Sequence, residues 1–215
     1  MAGVSVIGCE FATIFANFGR SKVYLLNNRK SRLLHDEDED LSAVITQSLM
    51  DRGVEILNNC ELGDTQVQED GVRCVIRNTV SKEEKEIVVE HCLYSIGRTP
   101  NTKDLDLHLA GVEIDKRGGI LTKGSAKSSA AHIFASGDVT ADIGLVNVAE
   151  MEARHAVEVI CSPVGEHSTE LNYQNIASIM FLEPEVACIG LCKFLRSHSI
   201  LTESNILPAT SRDWG

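Results

Sequence analysis

No apolar run in this sequence approaches the roughly 20 residues that a membrane-spanning helix needs. The opening apolar stretch has no Lys or Arg before it and carries Glu10 within it, which makes it a poor secretory leader. Positive charge is not in excess either. The 20 Lys and Arg against 31 Asp and Glu leave a net charge of −11, which argues against nucleic acid or an anionic membrane as the main partner. No Cys-x-x-Cys pair occurs among the seven cysteines, and neither they nor the seven histidines show metal-ligand spacing. The cysteines read mostly as buried reduced thiols, in preference to a redox pair at Cys188 and Cys192. A reducing compartment is expected: the cytoplasm or, in a eukaryote, the mitochondrial matrix. What is there is 215 residues, 43% hydrophobic and 24% charged, enough for one large or two small globular domains with a real core.

The stretch Gly3-Val4-Ser5-Val6-Ile7-Gly8 reads as a turn that opens a helix. From Ile7 onward, Phe11, Ile14, Phe15 and Phe18 fall at helical spacing and predict one buried stripe. Ala12 and Ala16 let that helix lie close to a sheet, and Gly19 suits a left-handed stop. Val23–Leu26 is a short apolar strand. Turn, helix and strand make most of a βαβ unit, whose free N–H groups at the helix start form a pyrophosphate site. The dinucleotide fingerprint asks for Gly at its first, third and sixth positions, which are Gly3, Ser5 and Gly8 here. Ser5 adds a Cβ where the backbone should approach the pyrophosphate, and only Met1 and Ala2 stand where a preceding strand belongs. On this motif alone, a dinucleotide turn and an ordinary helix-opening turn both stand.

About 20 residues beyond such a fingerprint an Asp or Glu takes the ribose hydroxyls of NAD. Asn27 holds that place, followed by Asn28, Arg29, Lys30 and Arg32. A cationic end to the strand suits a 2′-phosphate, so NADP is preferred over NAD; a solvated basic loop is the competing reading. The acidic run Asp36–Asp40 complements the dipole of a second helix, with no need for a metal. Leu41, Val44, Ile45 and Leu49 predict that helix's apolar face, Gly53 its end, and Val54–Leu57 a third strand. From Cys60 to Glu90 the pattern is antiparallel β, with Asp70-Gly71 as a hairpin signal and Ser81–Lys85 as an exposed tip. His91–Ile96 predicts another buried strand, running into Gly97-Arg98-Thr99-Pro100-Asn101. Ile133-Phe134-Ala135 predicts a short buried strand with Gly137-Asp138 at its carboxyl end, where ligands gather in open α/β sheets. Asp138 reads equally as a cap for the helix that follows, which spans Ala149–Ala156. Residues 162–170 read as a polar linker, Ile176–Phe181 as a strand leading into Pro184, and 193–215 as an irregular tail.

Four stretches, in order, resemble the class I pyridine nucleotide-disulfide oxidoreductases, the family of dihydrolipoamide dehydrogenase, glutathione and mercuric reductases and soluble transhydrogenase. They are Ile7-Gly8-Cys9-Glu10-Phe11-Ala12, Gly97-Arg98-Thr99-Pro100-Asn101, Ile133-Phe134-Ala135-Ser136-Gly137-Asp138, and Phe181-Leu182-Glu183-Pro184-Glu185-Val186 with Gly190. The resemblance implies an α/β fold. A Rossmann-like NAD(P)-binding domain with an antiparallel β insertion would span 1–101, and the returning part of an FAD-binding domain 102–165. The start of an α+β dimer-interface domain would span 166–192. It also implies FAD and NADP or NAD as cofactors, and a homodimer. Gly3, Ser5, Ile7 and Gly8 would hold the dinucleotide's pyrophosphate, Asn27, Asn28 and Arg29 its ribose end, and Gly97 and Arg98 the closing turn. Gly137 and Asp138 would contact the flavin, Asp138 at its ribityl chain. Glu10, the candidate catalytic residue, would lie near the nicotinamide and pair with a Lys of the flavin domain.

Family members pass hydride from NAD(P)H to the flavin, which then reduces a disulfide. Three parts of that relay have no counterpart here: an N-terminal flavin-binding Gly-rich turn, a Cys-x-x-x-x-Cys pair, and the interface domain's His-Glu pair. The chain therefore reads as a fragment or truncated product of such an oxidoreductase. It would be inactive and without FAD by itself unless another chain supplies the remainder. A non-catalytic dinucleotide-binding or interaction module is the alternative.

Overall fold

A computed structural model describes residues 1–29, 32–122, 126–162, 171–173 and 175–190. The polar linker beyond Ser162, Lys30, Cys192 and the tail 193–215 lie outside the described residues.

The first half is a βαβ-type layer carrying an antiparallel meander. Helix α1 spans Val6–Asn17, and Gly19 sits at φ +65 just past it, as its position after the last periodic residue predicts. Strand β1, Tyr24–Asn27, pairs in parallel with β2, Glu55–Asn58, and α2, Glu39–Asp51, connects them. Asp38, Glu39 and Asp40 occupy the N-cap and first turn of α2, where carboxylates offset the helix dipole. On the other side of β1, Ala2 bridges in parallel to both Leu26 and Tyr94. Met1–Val4 thus lies as a very short central element between β1 and the segment after the meander. That meander is β3, Cys60–Gln68, β4, Gly71–Asn78, and β5, Glu84–Val89. The first hairpin closes at Glu69–Asp70 with Gly71 opening β4.

Several sequence expectations fail, each for a packing reason. The aromatic stripe of α1 is not buried. Phe11, Phe15 and Phe18 are 40%, 37% and 69% exposed, and Ile14 is exposed too. The buried face is the small one, Gly8, Cys9, Ala12 and Thr13, because only short side chains allow the helix to lie so close to β1. In α2, Val44 is exposed and Ser42 takes its place among the buried residues, its hydroxyl donating to Leu33 O at 2.6 Å. Of the predicted tip, Glu84 and Lys85 belong to β5, since Arg77 on β4 draws Glu84 into a cross-strand ion pair of 2.8 Å. His91–Ile96 is not a buried strand. Among the described residues its ladder partner is Ala2 alone, and Tyr94 and Ile96 are exposed. Ile133–Ala135 is likewise reduced to a bridge from Phe134 to Lys127, although Ala135 is buried.

The second half returns toward the first. Val112, Ile120 and Ala135 form a small core, and α3 spans Val146–Cys161. Strands β6, Ala177–Met180, and β7, Val186–Ile189, make an antiparallel hairpin. Met180, Leu182 and Val186 enter the same core as Cys9, Leu25, Ile45 and Leu49, so the hairpin is packed on α1 and α2. Its loop is pinned there by Glu183, which accepts from Asn17 Nδ2 at 2.9 Å and pairs with Arg52 at 2.8 Å. Among the described residues no helix is long and apolar enough to cross a membrane.

Candidate functional site

The turn before α1 is built from two glycines that admit no side chain. Gly3 lies at φ +111, and a Cβ there would stand 2.3 Å from Ser95 O. A Cβ on Gly8 would stand 2.0 Å from Gly3 O. The first position lets the central element run against Ser95, and the sixth lets the helix start against the turn. Ser95 braces both by donating from Oγ to Ala2 O at 2.9 Å. Ser5 is the N-cap, extended and exposed, and makes no side-chain cap. The leading N–H groups of α1 are thereby left to a ligand, at the positive end of the helix dipole. Ile7 is half-buried in that first turn. These observations fit a pyrophosphate group: a tight cradle and donors that no side chain caps.

The strand end is organised by Asn27. It is fully buried, its Nδ2 donates to Asn58 Oδ1 at 2.8 Å, and its Oδ1 accepts from Arg29 N at 3.1 Å. Asn27 therefore shapes the loop from within. Asn28 and Arg29 are the exposed groups at this end. Arg32 donates to His35 O at 2.7 Å. Burial, and then the Arg29 guanidinium, hold the His35 imidazole below its usual pKa.

Glu10 lies one turn into α1, half-buried, and its Oε1 accepts from Phe181 N at 2.9 Å. The structure thus joins it to the β6–β7 loop. Cys9, next to it, is sealed in the core, and burial pushes its thiol up to about 12. Cys74 is pushed up to about 11 by burial and by Cys92, whose thiol it touches. The sequence gives no hint of that contact, since 17 residues separate the two. A thiol raised this far is a poor nucleophile. Cys188 points its Sγ at Glu37 Oε2, 3.7 Å away, and burial raises the Glu37 carboxyl.

The second cluster joins residues far apart in sequence. Gly97, at φ +134, and Arg98 follow Ser95 out of the first turn, and Arg98 Nη1 donates to Asp138 Oδ2 at 2.6 Å. Asp138 stands in a single 3-10 turn, Gly137–Thr140, with its Oδ1 unengaged among the described residues. That open oxygen suits a ligand hydroxyl. The turn is held from beneath by Glu152 of α3. This buried carboxylate accepts Gly137 N at Oε2, 2.7 Å, and the Tyr173 hydroxyl at Oε1, 3.0 Å. Burial and then Glu152 keep the Tyr173 hydroxyl protonated far into the alkaline range. Glu152 is the residue that reading the motifs alone passes over. Its signal is the spacing Val148, Glu152, Ala156, which places a carboxylate on the buried stripe of a helix, where it must find donors. Among the described residues no group of three or more His, Cys, Asp or Glu converges as a metal site.

Comparison with known proteins matches residues 2–153 to a family model described as pyridine nucleotide-disulphide oxidoreductase. The dihydrolipoyl dehydrogenase of Geobacillus stearothermophilus is 31% identical over 188 residues, 87% of this chain and 38% of that protein. A mercuric reductase of Bacillus cereus is 30% identical over 189 residues, 88% of this chain and 29% of that protein. In structure, the HOCl-induced flavoprotein disulfide reductase RclA of Escherichia coli superposes with a TM-score of 0.77 at 29% identity, covering 93% of this chain and 43% of RclA. LpdA of Mycobacterium tuberculosis gives 0.78 at 25% identity, covering 92% and 41%. The chain thus spans 38% of the length of the first of these curated relatives.

Proposed function

Because the chain belongs to the pyridine nucleotide-disulphide oxidoreductase family, we propose that it is the dinucleotide-binding portion of an FAD-dependent oxidoreductase, using NADPH in preference to NADH. The cradle at Gly3 and Gly8, where a Cβ would sit 2.3 and 2.0 Å from backbone oxygen, is the observation that carries this reading. Gly3, Ser5, Ile7 and Gly8 hold the pyrophosphate against the start of α1. Asn28 and Arg29 face the adenine ribose, on a loop that Asn27 fixes. Bound together, a nicotinamide and a flavin would supply the hydride chemistry; the protein's part would be to orient the two and to exclude water. Asp138 offers Oδ1 to the ribityl chain while Arg98 neutralises its other oxygen. Glu10 is the candidate group beside the nicotinamide, and in this chain it gives its Oε1 to Phe181 N instead. The acceptor chemistry, the homodimer and a chain supplying the remaining flavin contacts belong to the same proposal.

Cofactor choice is the direct test. No acid adjoins the exposed Asn28 and Arg29 in sequence, and a charge-assisted contact to a 2′-phosphate is worth about 1.5–3 kcal/mol, roughly tenfold or more in affinity. Titration calorimetry should show NADPH binding more tightly than NADH, and Arg29→Ala should remove most of the difference. Equal affinities for the two nucleotides would sink the NADPH assignment.

A further inference from the structure

The segment that carries His35 is tied to both ends of the proposed dinucleotide site. At the strand end, Asn27 Nδ2 donates to Arg32 O at 3.4 Å. Two residues on, Leu34 N donates to Val4 O at 2.9 Å, inside the Gly3–Gly8 turn. Leu33 and Leu34 are buried in the main core, and the Ser42 hydroxyl of α2 donates to Leu33 O at 2.6 Å. Leu34 takes φ +48, a region that a bulky side chain enters only where its surroundings hold it. The chain thus turns sharply just before His35, and Arg32 Nη2 donates to His35 O at 2.7 Å across that turn.

His35 itself is half-buried. Among the described residues, the charged groups that act on its ring are Arg29, Arg32 and Asp36. Burial and then Arg29 hold the ring below its usual pKa, with Arg32 adding to them; a hydrogen bond to the Arg32 main chain and the Asp36 carboxylate oppose them without prevailing. A neutral imidazole has one donor, and the Arg32 main chain takes it here. Protonation would supply a second donor and a charge. The ring therefore gains most from ionising when an anion cancels the guanidinium beside it.

On the premise of the dinucleotide site proposed above, we infer that His35 is a second ligand of the 2′-phosphate of NADPH, beside Arg29, and that it takes up a proton from solvent as NADPH binds. A phosphate monoester carries about −1.5 to −2 charge near neutrality, enough to reverse the repulsion from Arg29. NADH has a hydroxyl at that position and gives His35 nothing to neutralise. His35 is thus a specificity residue whose contribution depends on pH. The NADPH complex binds more protons than its separate parts, so the preference for NADPH is strongest at low pH. It is fully present below the pKa of the free chain and is lost as pH rises through the higher pKa of the complex. An opposite charge nearby raises a pKa by about 1–3 units; a rise of about two units would lower the NADPH preference roughly fourfold or more between pH 7 and pH 9. The 2′-phosphate loses its own second proton near pH ~6 and contributes little above pH 7.

Calorimetric titration of the full chain at pH 7, in buffers of different ionisation enthalpy, counts the protons taken up. Roughly half a proton or more is expected with NADPH, and none with NADH. His35→Gln, which keeps a donor for the Arg32 main chain, should bind NADPH without that uptake and with a preference that no longer falls between pH 7 and pH 9. His35→Arg carries a fixed charge and should keep its NADPH preference at pH 9, again without uptake. An NADPH preference with no proton uptake in the parent chain, or uptake that survives in His35→Gln, would overturn this inference and leave the dinucleotide site standing. Equal affinities for NADPH and NADH at both pH values would overturn the NADPH assignment and this inference together.

Discussion

Replacing Gly8 by Ala is expected to weaken dinucleotide binding and lower the melting temperature together. The new methyl carbon would lie 2.0 Å from Gly3 O and 2.9 Å from Ser95 Oγ, and neither neighbour is free to withdraw. Gly3 is tied to β1 through its bond to Leu26 O at 3.2 Å, and Ser95 to the central element through Ala2 O at 2.9 Å. Relief must come from moving the start of α1 away from the turn, which opens the cradle. Overpacking of this kind costs about 1–3 kcal/mol of stability. The displaced N–H groups should cost at least roughly tenfold in affinity. Ala at Gly3 adds backbone strain, because φ there is +111. Ala at Gly19, where the added Cβ meets nothing within 4 Å but φ is +65, should cost some stability from backbone strain and leave affinity unchanged, which separates loss of the cradle from loss of stability. Thermal unfolding and nucleotide titration on the three variants check this. A Gly8→Ala chain that binds like the parent would mean that the turn is no cradle.

The second large effect is expected at Glu152. Truncation to Ala leaves Gly137 N and the Tyr173 hydroxyl without their acceptor, the first of them buried. Each unsatisfied buried donor costs about 1–3 kcal/mol, and Tyr173 is only half-buried, so the loss should be about 2–4 kcal/mol. Glu152→Gln keeps one acceptor and should lose less. Tyr173→Phe should cost the least, and the Glu152→Ala/Tyr173→Phe pair should cost less than the sum of its parts, because the second change removes one of the stranded donors. Denaturant unfolding of the four chains measures these differences. Additive losses, or a Glu152→Ala chain within about 0.5 kcal/mol of the parent, would show that Glu152 does not hold the Gly137–Thr140 turn.

The local elements were readable wherever one short-range signal decides them. Gly19 stops α1 because it takes φ +65 without a Cβ penalty, and the acidic run before α2 marks its start. The glycines at the first and sixth positions of the opening turn were readable too, since their spacing reports close approach of backbone. What the sequence hides is set by partners distant along the chain. Helical periodicity finds the aromatic stripe of α1 but cannot say that the opposite face, with Cys9 and Ala12, is the one that meets β1. Asn27 reads as a ribose ligand by position, yet its amide is committed to Asn58, 31 residues away. His91–Ile96 has strand character but, among the described residues, pairs with Ala2 alone. Arg98 and Asp138, drawn from separate motifs, become one ion pair only in the fold. Glu152 acts on a turn 15 residues before it, through a hydrogen bond that no motif encodes.

The central claim is that the uncapped start of α1 is the dinucleotide site. Amide chemical shifts of the isotopically labelled chain, followed during addition of NADPH, test it at the atoms concerned. The account predicts saturable shifts that are largest at Ser5, Val6, Ile7 and Gly8, with a second group at Asn28 and Arg29. Shifts concentrated away from both groups, or none at concentrations that saturate binding to its relatives, would contradict it.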